Sequence, residues 1–201
     1  MVIAQPRPGV VFVAMRRLLA FVSMCAALRA AGAQQPVTGP EGQSGLVYSD
    51  STAFWIDVPR GWVLDAESGR RDGQIAVLYR QGESWRTGEP VMYASVITPK
   101  SGFNAAVPAA VRSDSAQWAG QTADLVFTVR DSIRTVSGAF AHLRAFRSIS
   151  TKRYDTVAYM QADGRVWMLT LTARSLASHD AAYADFVSMV KSYAPGPVRQ
   201  Q

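Results

Sequence analysis

The sequence is poor in the residue types that build reactive sites. Its single cysteine, Cys25, lies within the first 33 residues, and its two histidines, His142 and His179, have no metal-ligating or catalytic partner at a recognisable spacing. Aspartates and glutamates are scattered singly, without a paired-carboxylate motif. We therefore predict no catalytic residues, no metal, no cofactor and no enzymatic activity.

Runs of basic residues are also missing. Lysine and arginine together number 21 against 15 aspartates and glutamates, a formal net charge of +6. Four of the arginines lie in the first 33 residues, which leaves 17 basic residues against the same 15 acidic ones in the rest of the chain. Because no cluster remains that could follow a phosphate backbone, we expect no nucleic-acid partner.

Residues 1–33 have the three parts of a signal peptide. Arg16 and Arg17 supply the positive start, residues 18–28 form a short apolar run, and residues 31–33 (AGA) form a small-residue cleavage site. The apolar run is shorter than the roughly 20 residues of a membrane-spanning helix, so we expect no transmembrane segment after cleavage. We predict an exported protein, periplasmic or secreted, with Met15 favoured over Met1 as the start of translation.

Cys25 offers a second route of export. Residues 22–25 (VSMC) resemble a lipoprotein signal, in which the cysteine receives a lipid, but Met24 replaces the small residue that usually precedes that cysteine. The cleavage site at residues 31–33 is better formed. We therefore favour soluble export over a lipoprotein anchored at Cys25.

Composition divides the rest of the chain into three parts. Residues 34–45 are rich in Pro, Gly and Gln, which predicts a flexible lead-in, and residues 195–201 predict a disordered tail. Residues 46–194 carry apolar patterns without a low-complexity break. They predict a single domain.

Strand patterns dominate this domain. Alternating or short apolar segments predict strands over residues 54–58, 62–64, 75–80, 91–98, 125–129, 133–136, 139–148, 154–161 and 165–173. The last two are joined by Asp163 and Gly164, which form a strong two-residue hairpin signal.

Two helices interrupt or follow the strands. The first is predicted to run from a cap at Asn104 to about Gln121. The second is predicted to have Ser178 as its cap and Asp180 in its first turn, and to end before Pro195. Many antiparallel strands with two helices predict an α+β fold, an antiparallel β-sheet flanked by helices in an αβα sandwich.

Three segments carry a resemblance to a known family. Residues 54–62 (FWIDVPRGW) look like a strand, a Pro-x-Gly-Trp turn and a second strand, whereas residues 158–174 and 183–195 look like a closing hairpin and a packed C-terminal helix. This pattern resembles the PsbP-like fold superfamily, which includes the extrinsic PsbP subunit of photosystem II and bacterial DcrB-like proteins. The resemblance implies the sandwich architecture and a binding or assembly role, and it implies no site residue.

Two short motifs have catalytic counterparts elsewhere. Ser188 and Lys191 have the Ser-x-x-Lys spacing of serine acyl-enzymes, but the partner motifs of those enzymes are absent, so we interpret the segment as an ordinary amphipathic helix. Residues 42–45 begin like a nucleophile elbow. Because Leu46 stands in place of the closing glycine, we interpret them as part of the lead-in.

The loop over residues 82–90 contains the best candidate for partner contact. Trp85 is the one aromatic residue that periodicity does not place in the core, and it lies near Arg80 and Arg86 in the sequence. Trp and Arg are enriched in interface hot spots, so we predict these three residues as a contact site. The alternative is that Trp85 folds back over its own sheet.

These observations favour an exported, non-catalytic binding or assembly module of the bacterial cell envelope, with a protein or envelope component as its partner. The alternative is a carrier that holds a small apolar ligand between sheet and helix, along residues 91–97 and 166–171, and an enzyme ranks third. Because a packed core explains the same apolar residues, a carrier requires a cavity of roughly 300 Å³ or more. We expect Trp62 and Trp167 in the core.

Overall fold

The computed structural model describes residues 44–49, 52–97 and 106–196. The predicted signal peptide, its cleavage site and the lead-in before Ser44 lie outside these residues. The strands and α-helices of the described residues are, in chain order, β1 (Ser44–Ser49), β2 (Thr52–Asp57), β3 (Trp62–Asp65), β4 (Ala76–Arg80), β5 (Val91–Ile97), α1 (Val107–Gln121), β6 (Val126–Arg134), β7 (Phe140–Ser148), β8 (Arg153–Ala162), β9 (Arg165–Ala173), α2 (Leu176–Ser192) and β10 (Ala194–Pro195).

The strands form two antiparallel sheets. The larger sheet has the order β3-β4-β5-β9-β8-β7-β6, and the smaller one has the order β1-β2-β10. After β5 the chain passes through α1 and enters β6 at the far edge; β7, β8 and β9 then return by hairpins until β9 pairs with β5. With helices added on both sides, this arrangement confirms the predicted α+β sandwich.

One face of the large sheet holds the main core. Ala182, Phe186, Met189 and Val190 recur at helical spacing on α2, and all four are fully buried against this face and the small sheet. An aromatic cluster lies at the same interface, where the ring centres of Phe54 and Trp167 are 5.1 Å apart. The main core is therefore filled by side chains of both sheets and α2.

The opposite face of the large sheet is covered in two places. Val107 and Ala110 of α1 pack over strands β7 to β9, and the Tyr159 hydroxyl anchors the helix by donating a hydrogen bond to Asp114 at 2.7 Å. The part of the face formed by β3, β4 and β5 is covered instead by the loop over residues 81–90, through Trp85. The middle of this face, between α1 and the loop over residues 81–90, is more open.

Several local predictions are confirmed. Asp163 and Gly164 both have positive φ angles, 52° and 70°, in the turn between β8 and β9, which matches the primed turn favoured in two-residue hairpins. Trp62 and Trp167 are buried, with 6% and 2% of their surfaces exposed.

The helix starts differ from the predictions. Helix α1 begins at Val107 with Ala106 as its N-cap, and Asn104 lies outside the described residues. Helix α2 is capped by Ser175, whose side chain accepts a hydrogen bond from the backbone N–H of Ser178. The prediction of Ser178 as the cap was wrong, because Ser175 three residues earlier already satisfies that N–H; Asp180 consequently lies beyond the first turn.

The strand boundaries also differ in places. The two strands predicted over residues 125–136 form the single strand β6, with an irregularity in its pairing between Val129 and Ser132. Strand β1 begins at Ser44, inside the predicted lead-in, and Pro195 pairs with Phe54 instead of opening the tail. Neither helix of the described residues is long and apolar enough to cross a membrane.

Candidate binding cleft

An open cleft of about 590 Å³ lies on the less covered face of the large sheet. The loop over residues 81–90 forms one wall, and the turn over residues 149–152 with the start of β8 forms the other. Its floor comes from neighbouring strands, with Val91 and Tyr93 on β5 and Thr172 on β9. Here Tyr93 pairs with Thr170 and Val91 with Thr172, so the side chains of alternate residues reach the same face.

Trp85 forms part of the loop-side wall. Its indole packs edge-on against Tyr93, with ring centres 5.8 Å apart, and its N–H donates a hydrogen bond to Asp72 at 2.8 Å. The indole thus folds back over its own sheet, as in the alternative considered from the sequence, while the half-buried side chain still lines the cleft.

The three predicted contact residues do not lie together. Arg80 points to the opposite face of the sheet, where it lies 3.2 Å from Asp185 of α2 and stacks over Trp62 at 4.3 Å. Arg86 is exposed and lines a smaller groove of about 300 Å³ with Trp85. Partner contact by Arg80 or Arg86 stays a prediction, but the geometry separates Arg80 from the other two.

The most unusual group beside the cleft is the carboxylate of Asp155. Its side chain is 1% exposed, and it accepts a hydrogen bond from the Thr172 hydroxyl at 2.5 Å. Its second oxygen lies 3.1 Å from a guanidinium nitrogen of Arg153. Burial raises the pKa of Asp155 to about 6, against the lowering effects of Arg153 and Thr172.

Arg153 is held from two sides. Asp155 contacts one guanidinium nitrogen, and the ring of Trp118 on α1 lies 3.9 Å from the guanidinium carbon. Trp118 is stacked in turn on Phe146, with ring centres 5.4 Å apart. Because 40% of the Arg153 side chain is exposed and it lines the cleft, a fixed cation faces the open space.

Tyr93 belongs to the same polar group. Burial and then the charge of Asp155 raise the pKa of Tyr93 to about 12, so its hydroxyl keeps its proton at neutral pH. The positive charge of Arg153 and the neighbouring Thr170 hydroxyl lower the pKa and so act in the opposite direction. Tyr93 therefore presents a neutral ring and hydroxyl between Trp85 and the Arg153–Asp155 pair.

The turn beside Arg153 is fixed by one aspartate. Asp124 accepts hydrogen bonds from the backbone N–H groups of Ile149 and Ser150, at 2.9 and 2.8 Å, and from the hydroxyls of Thr122 and Ser148. Hydrogen bonds to its charged form, that from Ser148 first, hold the pKa of Asp124 well below its usual range.

Glu89 and Arg174 close one end of the cleft. The backbone N–H of Arg174 donates to Glu89 at 2.6 Å, and the Arg174 guanidinium lies 3.9 Å from the other carboxylate oxygen. The cleft wall therefore contains an anion as well as cations.

The two histidines and the Ser-x-x-Lys pair, for which no catalytic role is predicted, lie on β7 and α2. His179 is 2% exposed and lies 2.9 Å from the Thr156 hydroxyl, and burial lowers the pKa of its ring. His142 lies 2.9 Å from Ser132. Ser188 and Lys191 are both exposed on α2.

Sequence reasoning missed Arg153, Asp155 and Tyr93. One signal was available, because Asp155 interrupts the otherwise apolar or weakly polar strand over residues 154–160. A lone aspartate in such a strand requires a buried partner. The identity of that partner depends on Arg153 bending back toward the sheet and on α1 supplying Trp118, which local sequence does not reveal.

Comparison with solved structures identifies the architecture. The solution structure of cyanobacterial PsbP (CyanoP) from Synechocystis sp. PCC 6803 matches with a TM-score of 0.51 and 14% sequence identity, over 80% of this chain and 96% of that one. The chain has the PsbP-like fold. The resemblance stated from the sequence is thereby confirmed at the level of the fold.

Two further structures match at lower similarity. The Ran-binding protein Mog1p of Saccharomyces cerevisiae matches with a TM-score of 0.47 and 14% identity, over 77% of this chain and 96% of that one. LpqN of Mycobacterium tuberculosis, described as involved in cell envelope biogenesis, matches with a TM-score of 0.44 and 18% identity, over 77% of this chain and 91% of that one. No protein-family model and no curated protein sequence matches the chain.

Proposed function

We propose that this protein is an exported, non-catalytic binding module of the bacterial envelope, and that it contacts its partner through the cleft between residues 81–90 and 149–152. The observation that carries the proposal is the cleft itself, which places the aromatic side chains Trp85 and Tyr93 opposite the fixed cation of Arg153. Tryptophan, tyrosine and arginine are the residue types that dominate binding hot spots.

The apolar carrier receives less support. Its predicted ligand site would lie between sheet and helix, along residues 91–97 and 166–171, and on the α2 side of the sheet this space is filled. Met92, Leu169 and Leu171 of these segments are at most 1% exposed and pack in the main core with α2. Side chains therefore occupy the space that an apolar ligand would need at these positions.

Site-directed photo-crosslinking tests the proposal. A photoreactive side chain at Thr151, exposed on the cleft rim, is compared with the same group at Ser188, exposed on α2. In cells of the source bacterium we expect a discrete adduct from position 151 that is absent from position 188. Equal adducts from both positions, or none from position 151, would contradict contact through the cleft.

A further inference from the structure

The Arg153 guanidinium is preorganised for binding an anion. Asp155 and Trp118 fix its guanidinium before any ligand arrives, so little side-chain entropy remains to be lost on binding. A guanidinium has five N–H donors. Asp155 lies against one of the guanidinium nitrogens, and the exposed part of the side chain lines the cleft.

The charges around the cleft favour an anion of low charge. Among the charged groups that line the cleft or contact Arg153, Lys152, Arg153 and Arg174 contribute three positive charges, and Glu89 and Asp155 contribute two negative ones. One positive charge is left in excess. A single carboxylate balances it, whereas a more highly charged anion would be repelled by Glu89.

The floor of the cleft and the wall across from Arg153 are aromatic. Tyr93 keeps its hydroxyl protonated at neutral pH, and Trp85 lies edge-on to it, so both present neutral ring surface to the cleft. Apolar area removed from water contributes about 25 cal/mol per Å². A ligand with an apolar group beside its charge would contact both kinds of surface at once.

We propose that the cleft binds a carboxylate with an adjacent apolar group, with the carboxylate on Arg153 and the apolar group against Trp85 and Tyr93. The inference rests on the proposed function and names the chemistry of its ligand. Two sources share this chemistry, the C-terminal end of a peptide with an apolar last residue and a free monocarboxylic acid. The cleft volume lies in the range of small-ligand sites, which suits either one.

Matched probes test the carboxylate. N-acetyl-phenylalanine is titrated into the purified protein and followed by NMR at the indole N–H of Trp85, beside the neutral N-acetyl-phenylalaninamide. We expect the amide to bind at least about tenfold more weakly, equivalent to about 1.4 kcal/mol. Equal binding of the two, no binding of the acid, or tighter binding of phenyl phosphate would overturn the inference.

Two further probes separate the sources. One is a pentapeptide that ends in phenylalanine with a free carboxylate, and the other is 3-phenylpropionate. Tighter binding of the peptide indicates a protein end as the natural ligand, and tighter binding of phenylpropionate indicates a free acid. Either result supports recognition of the carboxylate.

Variants assign the carboxylate to Arg153. Because Arg153→Gln leaves Asp155 buried without its cation, the double variant Arg153→Gln/Asp155→Asn is tested as well, with Arg134→Gln on β6 as a matched control far from the cleft lining. We expect the double variant to lose at least about tenfold in affinity for N-acetyl-phenylalanine and the control to be unchanged. Unchanged binding by the folded double variant would refute the assignment.

The outcomes separate this inference from the proposed function. Failure of all carboxylate probes together with crosslinking at Thr151 would leave the binding module standing and remove its ligand chemistry. Failure of the probes together with an absence of crosslinking would remove both.

Discussion

Asp185 on α2 accepts a hydrogen bond from the indole N–H of Trp62 on β3, 2.8 Å away, although the two residues are 123 positions apart in the chain. The same carboxylate oxygen lies 3.2 Å from Arg80 on β4, whose guanidinium stacks over Trp62. The Asp185 carboxylate therefore joins α2 to the edge of the large sheet, beside the buried indole of Trp62. Arg80 belongs to this connection on the face away from the cleft.

This contact predicts that two substitutions of Trp62 lower the free energy of unfolding by different amounts. Trp62→Ala removes a buried indole and should lower the free energy of unfolding by roughly 3 to 5 kcal/mol. Trp62→Phe keeps much of the packing but cannot donate to Asp185, and should cost about 1 to 2 kcal/mol. Both values are measured by denaturant unfolding. An unchanged midpoint for Trp62→Ala would contradict the placement of this residue in the core.

The parts of the fold that were predictable depend on short-range signals. The turn at Asp163 and Gly164 requires positive φ angles that these two residues tolerate, and the buried face of α2 follows from helical spacing. The start of β1 was less accessible, because Ser44 and Gly45 end a Gly- and Gln-rich segment of little strand propensity and gain their place by pairing with β2.

The site was harder to predict than the fold. Arg80 and Trp85 are five residues apart in sequence, but the sheet separates them, because Arg80 lies on the α2 face and Trp85 crosses to the opposite one. Conversely, Arg153 and Trp118 come together only when α1 packs on the sheet. Contacts that depend on how distant elements pack leave no local pattern in the chain.

The cap of α2 gives a second prediction. Ser175→Ala removes the acceptor for the N–H of Ser178 and should destabilise the protein by about 1 kcal/mol. Ser178→Ala keeps that N–H and loses only a hydroxyl, so it serves as the matched control with a smaller effect. A larger loss for Ser178→Ala would support the cap expected from the sequence instead.

Asp155 predicts a third effect, which depends on pH. Its pKa is about 6 in the fold and 3.8 as the ordinary value, so the folded protein binds this proton more tightly than the unfolded chain does. The contribution to stability is complete below about pH 4 and is lost as the pH rises through about 6. Two pKa units correspond to up to about 3 kcal/mol.

Asp155→Asn removes this proton equilibrium. The stability of the native protein relative to the variant should therefore increase as the pH falls from 7 to 4, measured by urea unfolding at fixed ionic strength. The native protein and the variant share all other carboxylates, so the difference between their stabilities at each pH reports on Asp155. A difference that is constant between pH 4 and 7 would show that Asp155 has no raised pKa in the fold.

Asp124 predicts the opposite dependence. Because hydrogen bonds lower its pKa in the fold, its contribution is present above the unfolded value and is lost as the pH falls through and below about 4. Asp124→Asn should speed hydrogen exchange of the Ile149 and Ser150 amides at pH 7, with the exposed Asp131→Asn as control. Unchanged exchange at these two amides would contradict the role of Asp124 in fixing the turn.

Trp85 and Arg86 are neighbours in the chain, but the structure predicts that their substitutions act differently. Trp85→Ala removes an indole that packs on Tyr93 and binds Asp72, and should cost roughly 1 to 3 kcal/mol of stability, whereas the exposed Arg86→Ala should change it by no more than about 0.5 kcal/mol. Thermal unfolding of the two single variants measures this difference.

If the cleft is the contact site, Trp85→Ala should also reduce crosslinking from Thr151 under conditions where the variant is folded, because an aromatic wall of the site is lost. Arg86→Ala should leave that crosslinking unchanged, since Arg86 lines the smaller groove. Loss of crosslinking in Arg86→Ala alone would move the contact site from the cleft to the smaller groove.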